Sequence, residues 1–144
     1  MLLSSSCIEQ AGCLSNAQRR ELEATLRGAV QTHVSPEARL VVAWLTIPSG
    51  SGFAAGKPSK SLLVQVGVPD GFDQTAREAL MHELNGRICR VTGQTPFELM
   101  ISATDQTAGR RMIKTMFAQI PLSQKPKFLM DHVPRAIRGL LAGR

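Results

Sequence analysis

The residue types that most often carry chemistry are sparse in this sequence, and they form no complete motif. The histidines lie far apart, at His33, His82 and His132, and only Glu78 stands at helical spacing before one of them. A carboxylate four residues before a histidine is typical of an exposed contact between neighbouring helical turns. No nucleophile-elbow pattern surrounds a serine, so a Ser-His-Asp arrangement has no local support. No metal site is predicted.

A glycine-rich segment, residues 48–58, invites comparison with two phosphate-binding loops but matches neither. A Walker-type loop needs glycine where Ser51 stands, and serine or threonine where Pro58 stands. The dinucleotide fingerprint fails at Ala55, and no helix follows directly. The segment therefore predicts a loop or an open hairpin, and no nucleotide or other cofactor is expected.

The three cysteines, Cys7, Cys13 and Cys89, are odd in number and lack CxxC spacing. This usage is typical of reduced thiols in or near a hydrophobic core. A catalytic thiol would need a neighbouring base, and the local sequence supplies none.

Positive charge is concentrated towards the C-terminal end of the chain. The net charge is +6, yet the residues before Gly109 nearly cancel, with 9 basic and 10 acidic side chains. Beyond Gly109 eight cations face Asp131 alone. Such a basic tail indicates an anionic partner, or a solvated tail packed on acidic surface of this subunit or another. RNA is not an expected partner, because a chain with no Tyr and one Trp lacks a stacking platform.

Composition indicates one domain with a real core. The chain has 144 residues, of which 43% are hydrophobic, as in an ordinary globular protein. No apolar run approaches the roughly 20 residues of a membrane span. The segment Met1 to Ser6 has no basic residues and little apolar length, so it does not resemble a signal peptide. A cytoplasmic protein without membrane contact is predicted.

Hydrophobic periodicity predicts two helices of nearly twenty residues alternating with strands. Ser15 and Asp73 are natural N-caps, and Pro36 and Gly93 end the two helices. The continuous apolar runs predict strands at 40–45, 62–68 and 97–101, a weak strand before the first helix, and short helices at 112–117 and 133–141.

This order predicts an α/β (α+β) fold built from two similar β-α-β units. Each helical crossover makes the strands within a unit parallel, and both helices must cover one face of a four-stranded mixed sheet. We assign residues 1–120 to the domain, with units at 1–47 and 61–105 and a connecting hairpin loop at 48–60. Residues 121–144 form the basic C-terminal tail, predicted to be partly helical.

Three segments resemble the tautomerase superfamily. They are the helix start Leu14-Ser15-x-x-Gln18, the run from Ile47 to Pro58, and the run from Gly86 to Pro96 before the last strand. The similarity spans roughly residues 12–120 and is greatest to fused, double-length members such as cis-3-chloroacrylic acid dehalogenase and malonate semialdehyde decarboxylase. The resemblance implies two β-α-β units in each chain and a homotrimer.

The residues that carry out the family's chemistry are altered here. Its N-terminal proline acts as the general base, but the aligned positions hold Leu2 or Leu3, and no proline precedes Pro36. Where dehalogenase-like members place carboxylate-binding arginines, this chain has Asp70 and Asp73, which would repel an anionic substrate.

Replacements for the missing groups can still be named. The family's water-activating glutamate falls near Asp105, which is either a stand-in or a turn residue. The cations of the following segment, Arg110, Arg111 and Lys114, would form an anion site from another direction, with Lys57 and Phe53 on the loop rim.

Two hypotheses follow for function. The first is a diverged tautomerase-fold protein without proline-dependent catalysis. It is either an altered isomerase or lyase for a small anionic keto or enol acid, with the α-amino group of Met1 as base, or a non-catalytic homologue. The second is a binding or scaffold protein whose basic tail holds an anionic partner.

Overall fold

Four strands and two long helices make up the main layers of the protein. The computed structural model describes residues 1–119, 121–123 and 126. The elements in chain order are β1 (Leu2–Gln10), α1 (Asn16–His33), β2 (Arg39–Ile47), β3 (Phe53–Ala54), β4 (Lys57–Pro58), β5 (Leu62–Val68), α2 (Gln74–Thr92), β6 (Leu99–Asp105) and α3 (Gln106–Gln119).

The sheet has the order β2-β1-β5-β6 and combines both kinds of strand pairing. Strand β1 is parallel to β2, and β5 is parallel to β6, as helical crossovers require. The two pairs meet where β1 runs antiparallel to β5. The predicted fold of two β-α-β units in a four-stranded mixed sheet is thereby confirmed.

The core lies between the sheet and the two long helices. Alternate residues of β5 point into it and are almost completely buried, as expected for a strand with a period of two. The helices contribute side chains at helical spacing to the same core. The fully buried contributors from these three elements are Leu62, Val64, Val66, Val68, Leu22, Leu26, Ala29, Val30, Leu80, Leu84 and Ile88.

The predicted capping residues mark the starts of both long helices and the end of α2. The hydroxyl of Ser15 accepts from the Gln18 N–H while the Gln18 side chain accepts from the Ser15 N–H, forming a capping box. The carboxylate of Asp73 accepts from the Ala76 N–H at 2.9 Å. Gly93 closes α2 with a positive φ of 73°, which favours glycine.

The first strand is longer and more central than its sequence indicates. The serines at 4–6 are poor strand formers, yet β1 pairs along its whole length with β2 and also with β5. Ser5 is buried, and its hydroxyl donates to the carbonyl oxygen of Gln65 at 2.8 Å. Tertiary pairing on both sides therefore outweighs the weak local propensity.

The last strand and the helix after it differ from their predicted bounds. A 3₁₀ turn at Pro96–Glu98 occupies the beginning of the predicted strand, because the Glu98 carboxylate accepts from the Thr95 N–H and closes a turn. β6 then begins at Leu99. Helix α3 follows it without a loop and is longer than the predicted 112–117, whereas the predicted helix at 133–141 lies outside the described residues.

The glycine-rich segment forms a short hairpin of β3 and β4, as predicted. Gln10, the last residue of β1, binds the two ends of this hairpin segment through its side chain. The Gln10 side chain accepts from the Gly50 N–H at 2.9 Å and donates to the Ser59 carbonyl oxygen. A Cβ on Gly52 would lie 2.7 Å from the Ser59 carbonyl oxygen, so the close packing requires glycine there.

A charged network joins α1 to the first two strands. The buried carboxylate of Glu9 is ion-paired with Arg19, whose guanidinium lies 5.7 Å from the centre of the Trp44 ring. The Trp44 N–H donates to Glu23 at 2.9 Å, and Glu23 also accepts from Arg27. Burial raises the pKa of Glu9, and the charge of Arg19 opposes that rise.

Truncating a core side chain of α2 tests the layer packing. We expect Leu84→Ala to lower the free energy of unfolding by about 2–5 kcal/mol, because it leaves a cavity at a fully buried site. Urea denaturation followed by circular dichroism measures the change. Leu122→Ala is the control, since Leu122 is 82% exposed, and an equal loss in both variants would contradict the packing described here.

Candidate functional site

Four chain segments converge at one end of the sheet, which we call the Met1 end. The backbone N–H of Arg39 donates to the carbonyl oxygen of Met1 at 2.9 Å, so β1 and β2 begin together. Because β5 is antiparallel to β1 and parallel to β6, Val68 and Asp105 finish at the same end. The Met1 end therefore contains the starts of two strands and the ends of the other two.

The first turn of α3 is tied to this end by three hydrogen bonds. The Gln106 side chain donates to the carbonyl oxygen of Leu2 at 3.0 Å. The carboxylate of Asp70 accepts from the Thr107 N–H at 2.9 Å and from the Thr107 hydroxyl. These bonds hold the pKa of Asp70 below its usual range, with the Thr107 hydroxyl as the main cause. Asp70 therefore anchors the first turn of α3.

The carboxylate of Asp105 forms an ion pair with the guanidinium of Arg77. The guanidinium of Arg77 donates to Asp105 at 2.7 Å and also to the carbonyl oxygens of Ala103 and Phe72. The second oxygen of Asp105 accepts from the Gly71 N–H at 3.4 Å. The hydrogen bond from Arg77 lowers the pKa of Asp105, and a carboxylate held in this way is a weak proton acceptor. The contacts favour a positioning role for Asp105.

The cations predicted to bind an anion lie on α3, close to the Met1 end. Arg110, Arg111 and Lys114 are exposed on its surface. The charge of Arg110 contributes to the lowered pKa of Asp70, which places the two side chains near each other. Arg39 is a further exposed cation at this end, and it has no ion pair with another described residue.

The two loop residues of the predicted site do not join this group within one subunit. Phe53 and Lys57 lie on the β3–β4 hairpin, which follows the opposite end of β2. Nine residues of strand separate the two ends by roughly 26 Å. Both side chains are exposed, and Phe53 is 67% accessible. Only a second subunit would bring such a hairpin to the Met1 end.

Arg39, Gln106 and Arg77 are site residues that the sequence analysis missed. The sequence does indicate the location of Arg39, because parallel strands joined by a helix must start at the same end of a sheet. Arg39 begins β2 and therefore lies beside the start of β1. The sequence does not indicate the locations of Gln106 and Arg77, since their partners are backbone carbonyl oxygens and a carboxylate distant in sequence.

Three other residues of types that often carry chemistry, Cys7, His33 and Glu78, have surroundings that suit structural roles. Burial raises the pKa of the Cys7 thiol, which disfavours the reactive thiolate. His33 contacts Glu83 at 2.7 Å and joins α1 to α2. The expected contact of Glu78 with His82 is replaced by a hydrogen bond from Gln74 to Glu78.

Among the described residues, no cluster of side chains is arranged to hold a metal ion, and no helix has the length and apolarity of a membrane span.

Solved structures with this architecture identify the fold as that of the tautomerase superfamily. The native structure of Ps01740 is 19% identical and has a TM-score of 0.62, covering 71% of this chain and 92% of the other. Q0 fused 4-OT, described as a symmetric trimer, is 18% identical and has a TM-score of 0.60. The match covers 71% of this chain and 84% of the other. N1, of the cis-3-chloroacrylic acid dehalogenase family, is 12% identical with a TM-score of 0.61, covering 86% and 96%.

These identities are low, so the similarity confirms the fold predicted from the motifs and does not by itself transfer an activity. No family model matches the sequence, and no curated protein is significantly similar to it.

The positioning role of Asp105 predicts a specific pH dependence of stability. Because the pKa of Asp105 is lowered on folding, its ion pair stabilises the protein above about pH 4, near the unfolded pKa. That contribution is lost as the pH falls through the folded pKa. Asp105→Asn should therefore be less stable than the parent above about pH 4, with the difference shrinking in stronger acid. Urea denaturation between pH 2.5 and 7 measures this, and Glu78→Gln is the exposed control. A difference that does not change with pH would contradict the assignment.

Proposed function

We propose that the protein binds a small anionic keto or enol acid at the Met1 end and transfers a proton on it, acting as a diverged isomerase or lyase. The observation that carries this proposal is the convergence of Met1 with exposed cations of β2 and α3. The fold is shared with proteins of the tautomerase superfamily, one of which is described as inactivated by 2-oxo-3-pentynoate.

The proposed chemistry needs one base and one anion site. The unprotonated α-amino group of Met1 has a lone pair that takes the proton of an enol hydroxyl. The resulting ammonium then returns a proton to the carbon, which yields the keto acid. Arg110 and Arg111 bind the carboxylate, supported by Lys114, and a planar guanidinium suits such pairing. Asp105 holds the turn beneath them.

We further propose that the working form is a homotrimer. Four of the similar structures are described as trimers. On the sheet face away from the helices, the paired residues Leu45, Ile8, Leu63 and Met100 form one row across all four strands. Met100 is 63% exposed, and the other three are only partly buried. We call these four residues the apolar row. Packing between copies would cover it and would bring Phe53 and Lys57 of a neighbour towards another subunit's Met1 end.

The activity test uses protein whose N-terminus has been confirmed by intact mass. We expect it to ketonise an enol acid, such as phenylenolpyruvate or an aliphatic enolpyruvate, above the uncatalysed rate. Acetylating the terminal amine should abolish the activity. Arg110→Gln and Arg111→Gln should each raise KM about 10- to 100-fold, the effect of losing a charge-assisted hydrogen bond. Arg90→Gln on α2 is the control. Activity that survives acetylation would remove Met1 from the mechanism.

The homotrimer is tested by charging the apolar row. We expect Ile8→Glu to shift the protein from trimer to monomer in analytical ultracentrifugation, because an unpaired charge is costly in an apolar contact. Ala79→Glu on the exposed face of α2 is the control and should leave the trimer intact. A monomeric parent protein would overturn the proposal, as would a trimer that Ile8→Glu leaves unchanged.

A second candidate function rests on the charge distribution, in which the residues after Gly109 carry eight cations and one acidic residue. A scaffold that holds an anionic partner through this tail would be retained on heparin. Retention should weaken steeply as salt rises from about 50 to 200 mM. Absence of salt-sensitive retention would count against this role.

A further inference from the structure

A cavity of about 100 Å³ lies on the sheet face away from the two long helices, next to the Met1 end. Its lining includes Ser4, Ser6, Gln65, Gly67, Thr104 and Gly109, and we call it the serine cavity. Gln106 also lines it and donates to the carbonyl oxygen of Leu2. The cavity is therefore continuous with the segment that positions Met1.

Close packing requires glycine at one of the two glycine positions that line the serine cavity, but not at the other. A Cβ on Gly67 would lie 2.7 Å from the carbonyl oxygen of Ser4, so the close approach of β5 to β1 demands glycine. A Cβ on Gly109 would meet no atom within 4 Å, and its φ is not positive. Glycine is an unfavourable residue inside a helix. Packing therefore does not explain Gly109, which lines the cavity without a side chain.

The chemistry of the lining suits an uncharged group. No charged side chain lines the cavity among the described residues. The Gln65 amide already donates to the Thr104 hydroxyl at 3.3 Å, which fixes both side chains. Ser6 is partly buried on the same face, directly beside Gln65 in the strand register. Its hydroxyl is a donor and acceptor for a small polar atom.

The volume of the serine cavity limits the size of the group that can enter it. An apolar cavity of about 150 Å³ accommodates benzene, with its six carbon atoms. The serine cavity, at about 100 Å³, thus has room for about four non-hydrogen atoms.

We propose that the serine cavity receives the uncharged end of the substrate and selects short 2-oxo or enol acids that carry a hydroxyl or carbonyl group there. This inference rests on the proposed function, because it assumes that the carboxylate is bound by Arg110, the α3 cation that directly follows Gly109. Gly109 and Ser6 are then specificity-determining residues, the first for size and the second for polarity.

The size test compares 2-oxobutanoate, 2-oxopentanoate and phenylpyruvate by isothermal titration on the full chain. We expect the short acids to bind at least about tenfold more tightly than phenylpyruvate. Gly109→Ala should weaken 2-oxopentanoate more than 2-oxobutanoate, without lowering the unfolding midpoint. Gly86→Ala, the same change in α2, is the matched control and should leave the ratio unaltered. An unchanged ratio in Gly109→Ala, or tighter binding of phenylpyruvate, would overturn the inference and leave the proposed function standing.

The polarity test uses two acids of equal size, hydroxypyruvate and 2-oxobutanoate. We expect the parent protein to prefer hydroxypyruvate, and Ser6→Ala to abolish that preference while 2-oxobutanoate binds as before. Equal affinities in the parent protein would overturn the proposed role of Ser6. If none of the acids binds, the proposed function itself fails, which separates the two failures.

Discussion

The antiparallel pairing of β1 with β5 is the constraint on which the arrangement of this protein depends. It joins two parallel strand pairs that would otherwise be separate β-α-β units. It also decides which residues share an end of the sheet, since it places the start of β1 beside the ends of β5 and β6. The bond from Gln106 to Leu2, which connects the second unit to the first, follows from this join. The serines of β1 are tolerated in a central strand for the same reason.

Most of the fold could be predicted because local signals and tertiary packing agree. Ser15 and Asp73 begin helices by a mechanism that operates within one turn, and Gly93 ends α2 through its own backbone freedom. The β5 run is apolar enough to be recognised without knowing its neighbours. The local sequence predicts only a weak β1 because the stability of this strand comes from pairing with two partners. The predicted last strand begins earlier than β6 because a turn at Thr95 competes with the strand.

The candidate site was less predictable because its important contacts join residues distant in sequence. Its position alone predicts Asp105 to be either a stand-in for a catalytic carboxylate or a turn residue, and nothing local reveals that Arg77 holds it. Asp70 and Asp73, which looked unfavourable for an anion, instead hold the first turns of α3 and α2. These three carboxylates therefore make structural hydrogen bonds in this protein. The cations of α3 lie on a helix that starts at this end, and their role as an anion site stays a prediction.

The environment of Trp44 has a spectroscopic consequence. It is the chain's single tryptophan, and it lies on β2 beneath the Arg19 guanidinium with its N–H held by Glu23. Its emission therefore reports the contact between α1 and the outer strand of the first unit. The second unit has no indole and is silent in the same measurement. An optical signal from this protein describes one half of a pseudo-symmetric molecule, and agreement with backbone circular dichroism during unfolding would show that the two halves melt as one.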